Sequence, residues 1–311
     1  MEFNHIKMAA ERIQGLVHVT PVLTSQLIDQ SLGCECFFKC ENLQKVGAFK
    51  ARGACNAVSL LNAQDAALGV ATHSSGNHGA ALAFAAKLRG IPAYVVMPSN
   101  APQVKKDAVA AYGATIIECE PNLPAREHEL ARVVQSTGAH FVPPYDDERI
   151  IAGQGTAALE LMTQAPDLDI VIVPVGGGGL LAGTVLAAKG IRADTLVYGA
   201  EPAGADDAAR GFRSGQRVVD VEPKTIADGL RTTLGQVNFI IIKNHVDDIL
   251  TVSESGILEA MKLLWTRLKV VVEPSSAVAV AAILEHKETF SGKKVGIVLS
   301  GGNVELSQLP F

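Results

Sequence analysis

Short apolar runs alternate along the chain with longer stretches in which apolar residues recur every three or four positions. The short runs predict β-strands, and the longer stretches predict helices. Strands are predicted at residues 34–41, 69–75, 92–98, 114–120, 140–145, 170–176, 195–201, 247–253 and 294–302. Helices are predicted at residues 49–64, 77–90, 101–113, 123–138, 155–164, 180–191, 253–269 and 275–288. Helices between apolar strands are typical of βαβ units, so we predict an α/β fold with open, mostly parallel sheets flanked by helices.

The alternation divides into two series, which predicts two domains. Residues 66–144 form one self-contained strand–helix series, and a second series begins near residue 150, after the Pro143-Pro144 pair. The pattern alone does not indicate which series the N-terminal residues join. Ligands of open parallel sheets bind beyond the carboxyl ends of the strands, so we expect functional residues in the loops that follow the strands.

The strongest local signal lies between the predicted strand at residues 170–176 and the helix that follows it. Four consecutive glycines separate the two elements: Gly176, Gly177, Gly178 and Gly179. Glycines let the backbone approach a ligand closely, and a helix N-terminus offers unpaired N–H groups. This segment therefore predicts a phosphate-binding loop, although a tight turn without a ligand is the simpler alternative.

The same glycine run also permits a different function, which is binding of a nicotinamide dinucleotide. Gly177, Gly179 and Ala182 match the dinucleotide-binding fingerprint with alanine in the third position. Glu201 follows at the end of the next predicted strand, near the spacing of an acid that binds a ribose hydroxyl. An NAD-dependent dehydrogenase is therefore an alternative hypothesis.

A second polar segment stands between the strand at residues 69–75 and the helix at residues 77–90. It contains Ser74, Ser75, Asn77 and His78 together with two glycines. Hydroxyl groups, an amide and a helix N-terminus suit an anion of the size of a carboxylate. The simpler alternative is that one of these residues caps the helix.

A lysine occurs where the helix at residues 49–64 begins. Lys50 follows Phe49 directly, within the segment NLQKVGAFKAR. The positive end of the helix dipole disfavours an ammonium group, so we expect a lowered pKa for Lys50. A neutral amine can form an imine with a carbonyl compound. The alternative is an ordinary surface lysine.

Composition and charge exclude several classes of protein. Hydrophobic residues make up 48% of the chain and charged residues 19%, which excludes global disorder. The formal net charge of −5 argues against a general nucleic-acid-binding protein, which carries a basic face. The uncharged stretch from Ile170 to Ala188 contains Pro174 and the glycine run, so we interpret it as strand, turn and helix, not as a membrane span. The first residues lack the apolar core of a signal peptide, and we expect a cytoplasmic protein with reduced cysteines.

Two further segments are ambiguous when each is taken alone. Glu201 and Asp207 follow a predicted strand, and two carboxylates with a loop carbonyl can hold a hard cation. Acids of this kind are also common on ordinary protein surfaces. Ser300 lies at the end of the last predicted strand beside two glycines, which by itself indicates a tight turn.

Taken together, these segments resemble one family. K-x-G-A-F-K-x-R-G-A, S-S-G-N-H-G, G-G-G-G-L, E-P-x-x-A-D-D and V-L-S-G-G-N occur in this order between Thr20 and Glu305. The combination resembles the fold-type II (tryptophan synthase β-like) pyridoxal phosphate enzymes, and within them the serine racemase and serine/threonine dehydratase group. The resemblance implies a homodimer with a large cofactor-binding domain, residues 1–65 plus 145–311, and a small domain, residues 66–144.

The resemblance also implies roles for the residues that match the family motifs. The residues expected to contact pyridoxal phosphate are Phe49, Lys50, Asn77, Gly176, Gly177, Gly178, Gly179, Leu180 and Ser300. The residues expected to contact the substrate are Ser74, Ser75, Asn77, His78 and Arg126. The residues expected to hold a divalent cation, Mg²⁺ with Mn²⁺ or Ca²⁺ as alternatives, are Glu201, Ala205 and Asp207. Lys50 is expected to carry the cofactor as an imine and then to act as the base at the substrate Cα.

The implied reaction is β-elimination from L-serine or L-threonine, which yields a 2-oxo acid and ammonia. A neutral hydroxyl at Ser300 does not keep the pyridine nitrogen protonated, and a weaker electron sink favours prompt loss of the β-hydroxyl group. Ser75 occupies the position where racemases of this family place a second acid–base group, so we also expect serine racemase activity. Ala48 instead matches family members that act on threo-3-hydroxy-L-aspartate. Arg126 is our candidate partner for the second carboxylate in that alternative, an ammonia-lyase.

Overall fold

Two mostly parallel β-sheets form the framework of the fold. The structure is a computed structural model that describes residues 1–74 and 76–305. Its strands are β1 Val22–Leu23, β2 Glu35–Cys40, β3 Val70–His73, β4 Ala93–Pro98, β5 Thr115–Cys119, β6 His140–Phe141, β7 Ile170–Pro174, β8 Leu196–Pro202, β9 Asp248–Val252 and β10 Lys294–Leu299. One sheet has the order β1-β2-β10-β7-β8-β9, and the other has the order β5-β4-β3-β6. Apart from the antiparallel β1–β2 pair, the strand pairs within these sheets are parallel, which confirms the predicted α/β architecture.

Helices connect the strands and cover the sheets. They are α1 Phe3–Ile13, α2 Gln26–Leu32, α3 Lys50–Ser59, α4 Ala63–Leu68, α5 Asn77–Arg89, α6 Gln103–Ala111, α7 Leu123–Thr137, α8 Glu148–Gln164, α9 Gly179–Ile191, α10 Asp207–Ser214, α11 Gln236–His245, α12 Glu254–Leu263, α13 Pro274–Glu285 and α14 Lys287–Phe290. Lys50 and Asn77 begin α3 and α5, as the sequence predicted. The stretch from Ile170 to Ala188 forms β7, the glycine turn and most of α9, also as predicted.

Several helices and one short strand were not predicted from the sequence pattern. Helix α1 buries only Ile6, Ala9 and Ile13, so its apolar stripe is narrow. Helix α11 contains a continuous apolar run that hides the helical period. Strand β1 and helices α2, α4 and α10 are short and were also missed. Helix α8 begins at Glu148, well before the predicted residue 155. Its glycines made the sequence resemble a non-helical segment, but they are needed for close packing. A Cβ on Gly155 would lie 2.7 Å from the carbonyl oxygen of Gly183 in α9.

The larger sheet carries apolar layers on both of its faces. All of β7 is buried, as are residues 275–283 of α13. One apolar cluster joins α13 to β2, β7 and β10, and another packs α9 and α11 against the sheet. Burial on both faces is the usual state of a parallel sheet and explains the continuous apolar runs in its strands.

The two sheets are formed by separate stretches of the chain. Strands β3, β4, β5 and β6 lie within residues 66–144, and the strands of the larger sheet lie outside them. We retain residues 1–65 plus 145–311 and residues 66–144 as proposed domains. Among the described residues, no helix is both long enough and apolar enough to cross a lipid bilayer.

Candidate active site

A cavity of about 660 Å³ lies beyond the carboxyl ends of β3, β7 and β10. This is the edge at which the sequence predicted the functional loops. The predicted residues that line the cavity are Phe49, Lys50, Ser74, Asn77, His78, Arg126, Gly176, Gly177, Gly178, Gly179, Leu180, Asp207 and Ser300. Glu201 and Ala205 are not among the cavity residues, and Ser75 lies outside the residues that the structure describes.

Lys50 presents its amine at the wall of this cavity. Its Nζ donates a hydrogen bond of 2.7 Å to the carbonyl oxygen of Pro144 and lies 5.1 Å from the centre of the Phe49 ring. Burial lowers the pKa of Lys50 to about 8, and the nearby Glu273 carboxylate opposes that shift. The position of Lys50 at a helix start predicted a lowered pKa, whereas in the structure burial is the main cause. A substantial fraction of the amine is therefore neutral near physiological pH.

The glycine run forms the start of α9 beside the amine. Gly178 adopts φ +90°, which favours glycine, and it precedes α9 without a side chain that could cap the helix. Helix α5 also begins at the cavity, and its N-cap residue is Gly76, which has no side chain to cap the helix. Uncapped helix starts present unpaired N–H groups and positive dipole ends, so this wall suits an anionic ligand.

Tyr145, which the sequence analysis missed, explains part of the glycine run. A Cβ on Gly177 would overlap the Tyr145 ring, so only glycine fits beneath this ring. The Tyr145 hydroxyl is 2.8 Å from the Thr232 Oγ1, and its backbone carbonyl accepts a hydrogen bond from the Asn238 amide. The glycines therefore serve local packing as well as access to the cavity.

Asn77 belongs to a chain of hydrogen-bonded polar side chains at the cavity wall. Its Nδ2 donates to both carboxylate oxygens of Glu273, at 2.9 and 3.1 Å. Its Oδ1 accepts a hydrogen bond of 2.9 Å from the Asn303 Nδ2. The Ser300 side chain lines the same cavity, and its backbone carbonyl accepts a hydrogen bond from the Phe49 N–H. Glu273 was not singled out from the sequence, and Asn303 was included only as the last residue of the V-L-S-G-G-N motif, without a role.

Ser74 and His78, two of the predicted substrate residues, have different surroundings at the start of α5. The Ser74 hydroxyl accepts a hydrogen bond of 3.2 Å from the Gly76 N–H and lies at the cavity. The His78 Nε2 lies 3.1 Å from the Val142 carbonyl, and burial, with Lys50 nearby, lowers the pKa of His78 to about 3. A neutral imidazole has one N–H, which this carbonyl uses, so His78 offers no N–H to a carboxylate in this arrangement.

Arg126 and His73 form a separate polar group at the cavity. The Nε of Arg126 and the Nδ1 of His73 are buried, and neither has a hydrogen-bond partner among the described residues. Burial and the charge of Arg126 lower the pKa of His73 to about 4, so the imidazole is neutral at physiological pH. An unpartnered guanidinium N–H at a cavity wall is a donor suited to a ligand carboxylate.

The predicted cation ligands lie beside α10. The Glu201 carboxylate accepts hydrogen bonds from the backbone N–H groups of Ala208 and Ala209, at 3.1 and 2.9 Å. Burial raises the pKa of Glu201 to about 9 and that of Asp207 to about 6. Within residues 1–74 and 76–305, no group of three or more histidine, cysteine or acidic side chains is placed to hold a metal ion.

The dehydrogenase alternative does not fit this arrangement. A ribose-binding acid needs a free carboxylate at the ligand, whereas Glu201 is 1% exposed and caps the start of α10. Glu201 also lies outside the residues that line the cavity. The match of Gly177, Gly179 and Ala182 to the dinucleotide fingerprint is therefore coincidental, and the family assignment below overturns that alternative.

Comparison with known proteins identifies the family. A sequence model described as "Pyridoxal-phosphate dependent enzyme" matches residues 13–301. The chain is 52% identical to beta-hydroxyaspartate dehydratase of Paracoccus denitrificans (strain Pd 1222), over 97% of this chain and 96% of that protein. The crystal structure of serine racemase from Dictyostelium discoideum matches with a TM-score of 0.94 and 49% identity, over 98% of this chain and 99% of that one. A threonine deaminase from T.th. matches with a TM-score of 0.94 and 43% identity, over 98% and 99% of the two chains. The chain therefore belongs to the pyridoxal-phosphate-dependent enzymes of fold-type II.

Proposed function

We propose that the protein catalyses β-elimination from a β-hydroxy amino acid of the L-serine or L-threonine type, with serine racemase activity alongside. The products of elimination are a 2-oxo acid and ammonia. The observation that carries this proposal is the Lys50 amine, which shares one cavity with the glycine run and Ser300. The likeness to serine racemase and threonine deaminase structures supports it. The direct test is to assay L-serine, L-threonine and L-threo-3-hydroxyaspartate for 2-oxo acid and D-amino acid products.

The residues around the cavity fit pyridoxal phosphate. Residues 176–179 and the start of α9 would hold its phosphate through backbone N–H groups, including that of Leu180. Lys50 would bind its aldehyde carbon, and Phe49 would pack on the ring. Asn77 would bind the ring oxygen, and Ser300 would contact the ring nitrogen as a neutral hydroxyl. When bound, the cofactor supplies an electron-accepting ring that no protein side chain provides.

The other residues would then hold the substrate and move its protons. Ser74 and the N-terminus of α5 would orient the substrate carboxylate, with Asn77 beside them. Lys50 would take the proton from the substrate Cα once the substrate amine has displaced it. A pKa of about 8 suits this role, because a base works best when its pKa lies near the working pH.

Substitution of Ser75 should separate the racemase activity from elimination. We expect Ser75→Ala to stop formation of D-serine from L-serine while formation of 2-oxo acid continues, because only racemisation needs a second proton donor on the face opposite Lys50. Chiral chromatography and a coupled 2-oxo acid assay measure the two products from one reaction. A variant that still racemises at the native rate would disprove this role for Ser75.

A second candidate substrate, threo-3-hydroxy-L-aspartate, is favoured by Arg126. Arg126 lines the cavity, and its buried Nε has no hydrogen-bond partner among the described residues. Other cations of the lining contact protein groups: Lys105 pairs with Asp228, and Arg217 and Arg231 donate to backbone carbonyls. A substrate with a second carboxylate would satisfy this donor. The 52% identity to a beta-hydroxyaspartate dehydratase supports the same alternative.

The Arg126→Gln variant distinguishes the two substrate types. Hydrogen bonds to charged groups contribute about 1.5–3 kcal/mol, so we expect kcat/KM for L-threo-3-hydroxyaspartate to fall roughly 10- to 100-fold relative to that for L-serine. Arg132→Gln is the matched control, because Arg132 lies on the same helix α7 but pairs with Glu129 at the surface. An equal loss for both substrates would contradict a specific role in binding the second carboxylate.

The divalent cation and the homodimer are further proposals that rest on the family resemblance, and a cytoplasmic location is a proposal that rests on the sequence pattern. Glu201, Asp207 and the Ala205 carbonyl would hold the cation. A cation bound there would compete with protons, because burial raises the pKa of Glu201 to about 9 and that of Asp207 to about 6.

A further inference from the structure

Glu273 has an unusual position at the start of α13. It occupies the N-cap, where serine, threonine, aspartate and asparagine are preferred, yet its side chain makes no capping hydrogen bond. It is 5% exposed, and it lines the cavity. A buried carboxylate that accepts no hydrogen bond from the N–H groups at the start of its own helix needs another hydrogen-bond donor. The Asn77 amide is that donor and makes two hydrogen bonds to the carboxylate.

The surrounding residues are arranged to accommodate this carboxylate. A Cβ on Gly301 would lie 2.8 Å from the Glu273 Oε1, so glycine at this position leaves the space that the carboxylate occupies. The Glu273 backbone N–H donates to the Gly301 carbonyl, which fixes the start of α13 against the end of β10. Glu273 therefore contacts Asn77, a proposed cofactor contact, and Gly301, the residue after Ser300.

The charged groups that face Glu273 come from several elements. Asp228 and Lys105, from the turn Asp228–Leu230 and from α6, form an ion pair with each other. Burial raises the pKa of Glu273 to about 7, Asp228 adds to the rise, and Asn77 and Lys105 oppose it. The same carboxylate acts on Lys50, whose pKa it raises against the effect of burial. Glu273 thus lines the same cavity as the proposed cofactor lysine, whose charged form it favours, and its carboxylate accepts hydrogen bonds from Asn77.

We propose that Glu273 is a positioning residue of the cofactor site, which orients the Asn77 amide and stabilises positive charge on the Lys50 nitrogen. The two roles depend on different properties of the side chain. Orientation of Asn77 requires a hydrogen-bond acceptor, whereas stabilisation of the cation requires a negative charge. This inference rests on the proposed roles of Lys50 and Asn77.

Two variants of the holoenzyme separate the two roles. Glu273→Gln keeps an acceptor oxygen for Asn77 but removes the charge, and Glu273→Ala removes both. The first readout is the pKa of the visible absorption band of bound pyridoxal phosphate, and the second is the dissociation constant for the cofactor. Loss of a nearby opposite charge shifts a pKa by about one unit or more, so the absorption pKa falls by about one unit in both variants. Cofactor affinity falls about tenfold in Glu273→Ala and stays within about twofold of native in Glu273→Gln.

Glu285→Gln is the matched control, because Glu285 lies at the other end of α13 and accepts hydrogen bonds from Ser253. We expect it to leave both readouts at their native values, and circular dichroism checks the fold of each variant. A native absorption pKa and native cofactor affinity in both Glu273 variants would overturn the proposal. Borohydride reduction and peptide mapping of the native enzyme test Lys50 separately: a label elsewhere would refute the proposed function, whereas a label on Lys50 with unchanged Glu273 variants would refute only this inference.

Discussion

Replacement of Lys50 by alanine is expected to abolish covalent attachment of pyridoxal phosphate and to reduce turnover by roughly 10²- to 10⁴-fold. The variant loses both the amine that binds the cofactor and the base proposed to act at the substrate Cα. Borohydride, which fixes the cofactor to the native chain, should leave the variant unlabelled. The glycine loop is unchanged in the variant, so the cofactor should still bind without a covalent bond. Equilibrium dialysis should detect this non-covalent binding. Measurements of turnover and of borohydride-fixed cofactor by mass spectrometry test these expectations.

The lowered pKa of Lys50 adds a dependence on pH to this prediction. Only the neutral amine attacks an aldehyde, and an amine with a pKa of about 8 becomes neutral as the pH rises from 7 to 9. We therefore expect the rate of cofactor attachment to the apoenzyme to rise over this range. Lys189→Ala is the control, because Lys189 pairs with Asp247 near the far end of α9 and lies outside the cavity lining. Native covalent labelling in Lys50→Ala would refute the assignment of this residue.

The fold could be predicted from the sequence wherever burial is nearly complete. Strands such as β7 and β10 are buried on both faces, so their apolar runs are continuous and stand out. Helix α8 was only partly predicted, because glycines that normally disfavour a helix are needed there for contact with α3 and α9. Helix α1 was missed because it buries only a narrow stripe of residues. These errors arise where tertiary packing outweighs local propensity.

The candidate site shows the same division between local and long-range information. Lys50, Asn77 and the glycine run are each followed by a helix, and this local context made them visible. Glu273 and Tyr145 acquire their positions only when distant segments meet. Glu273 contacts Asn77 across 196 positions of sequence, and the Tyr145 hydroxyl reaches Thr232 across 87. No spacing rule within one segment could have brought these pairs together.

The second large effect is expected from a buried ion network beneath α3, the helix that presents Lys50. Arg52 donates to Glu41 and Glu160, and Lys39 donates to Glu160 at 2.6 Å. Lys39, Glu41 and Arg52 are fully buried. The network joins β2 and the turn after it to α3 and α8, so it fixes the base of the proposed cofactor site.

Arg52→Ala should destabilise the protein by about 3–5 kcal/mol, because within the described network it leaves Glu41 and Glu160 with Lys39 as the remaining buried cation. Burial alone favours a higher pKa for Glu41, but the ion pair and hydrogen bonds with Arg52, together with smaller contributions from Thr20 and Lys39, outweigh it and hold this pKa below its ordinary value. In the variant, burial is no longer opposed by Arg52, so the pKa of Glu41 should rise above its unfolded value.

The contribution of Glu41 to the free energy of unfolding should therefore change with pH in opposite directions in the native protein and in the Arg52→Ala variant. Below its ordinary pKa, native Glu41 contributes less stability as the pH falls, because the unfolded state binds more protons than the folded state. In Arg52→Ala the folded state binds more protons, so its stability should improve as the pH falls from 7 towards 5. The difference in free energy of unfolding between native and variant protein, measured in urea at both pH values, should therefore narrow at pH 5. Arg132→Ala, which removes an exposed ion pair with Glu129, should leave the urea midpoint unchanged. A difference between native protein and Arg52→Ala that is small, or that widens at pH 5, would show that the network does not stabilise this helix as its geometry indicates.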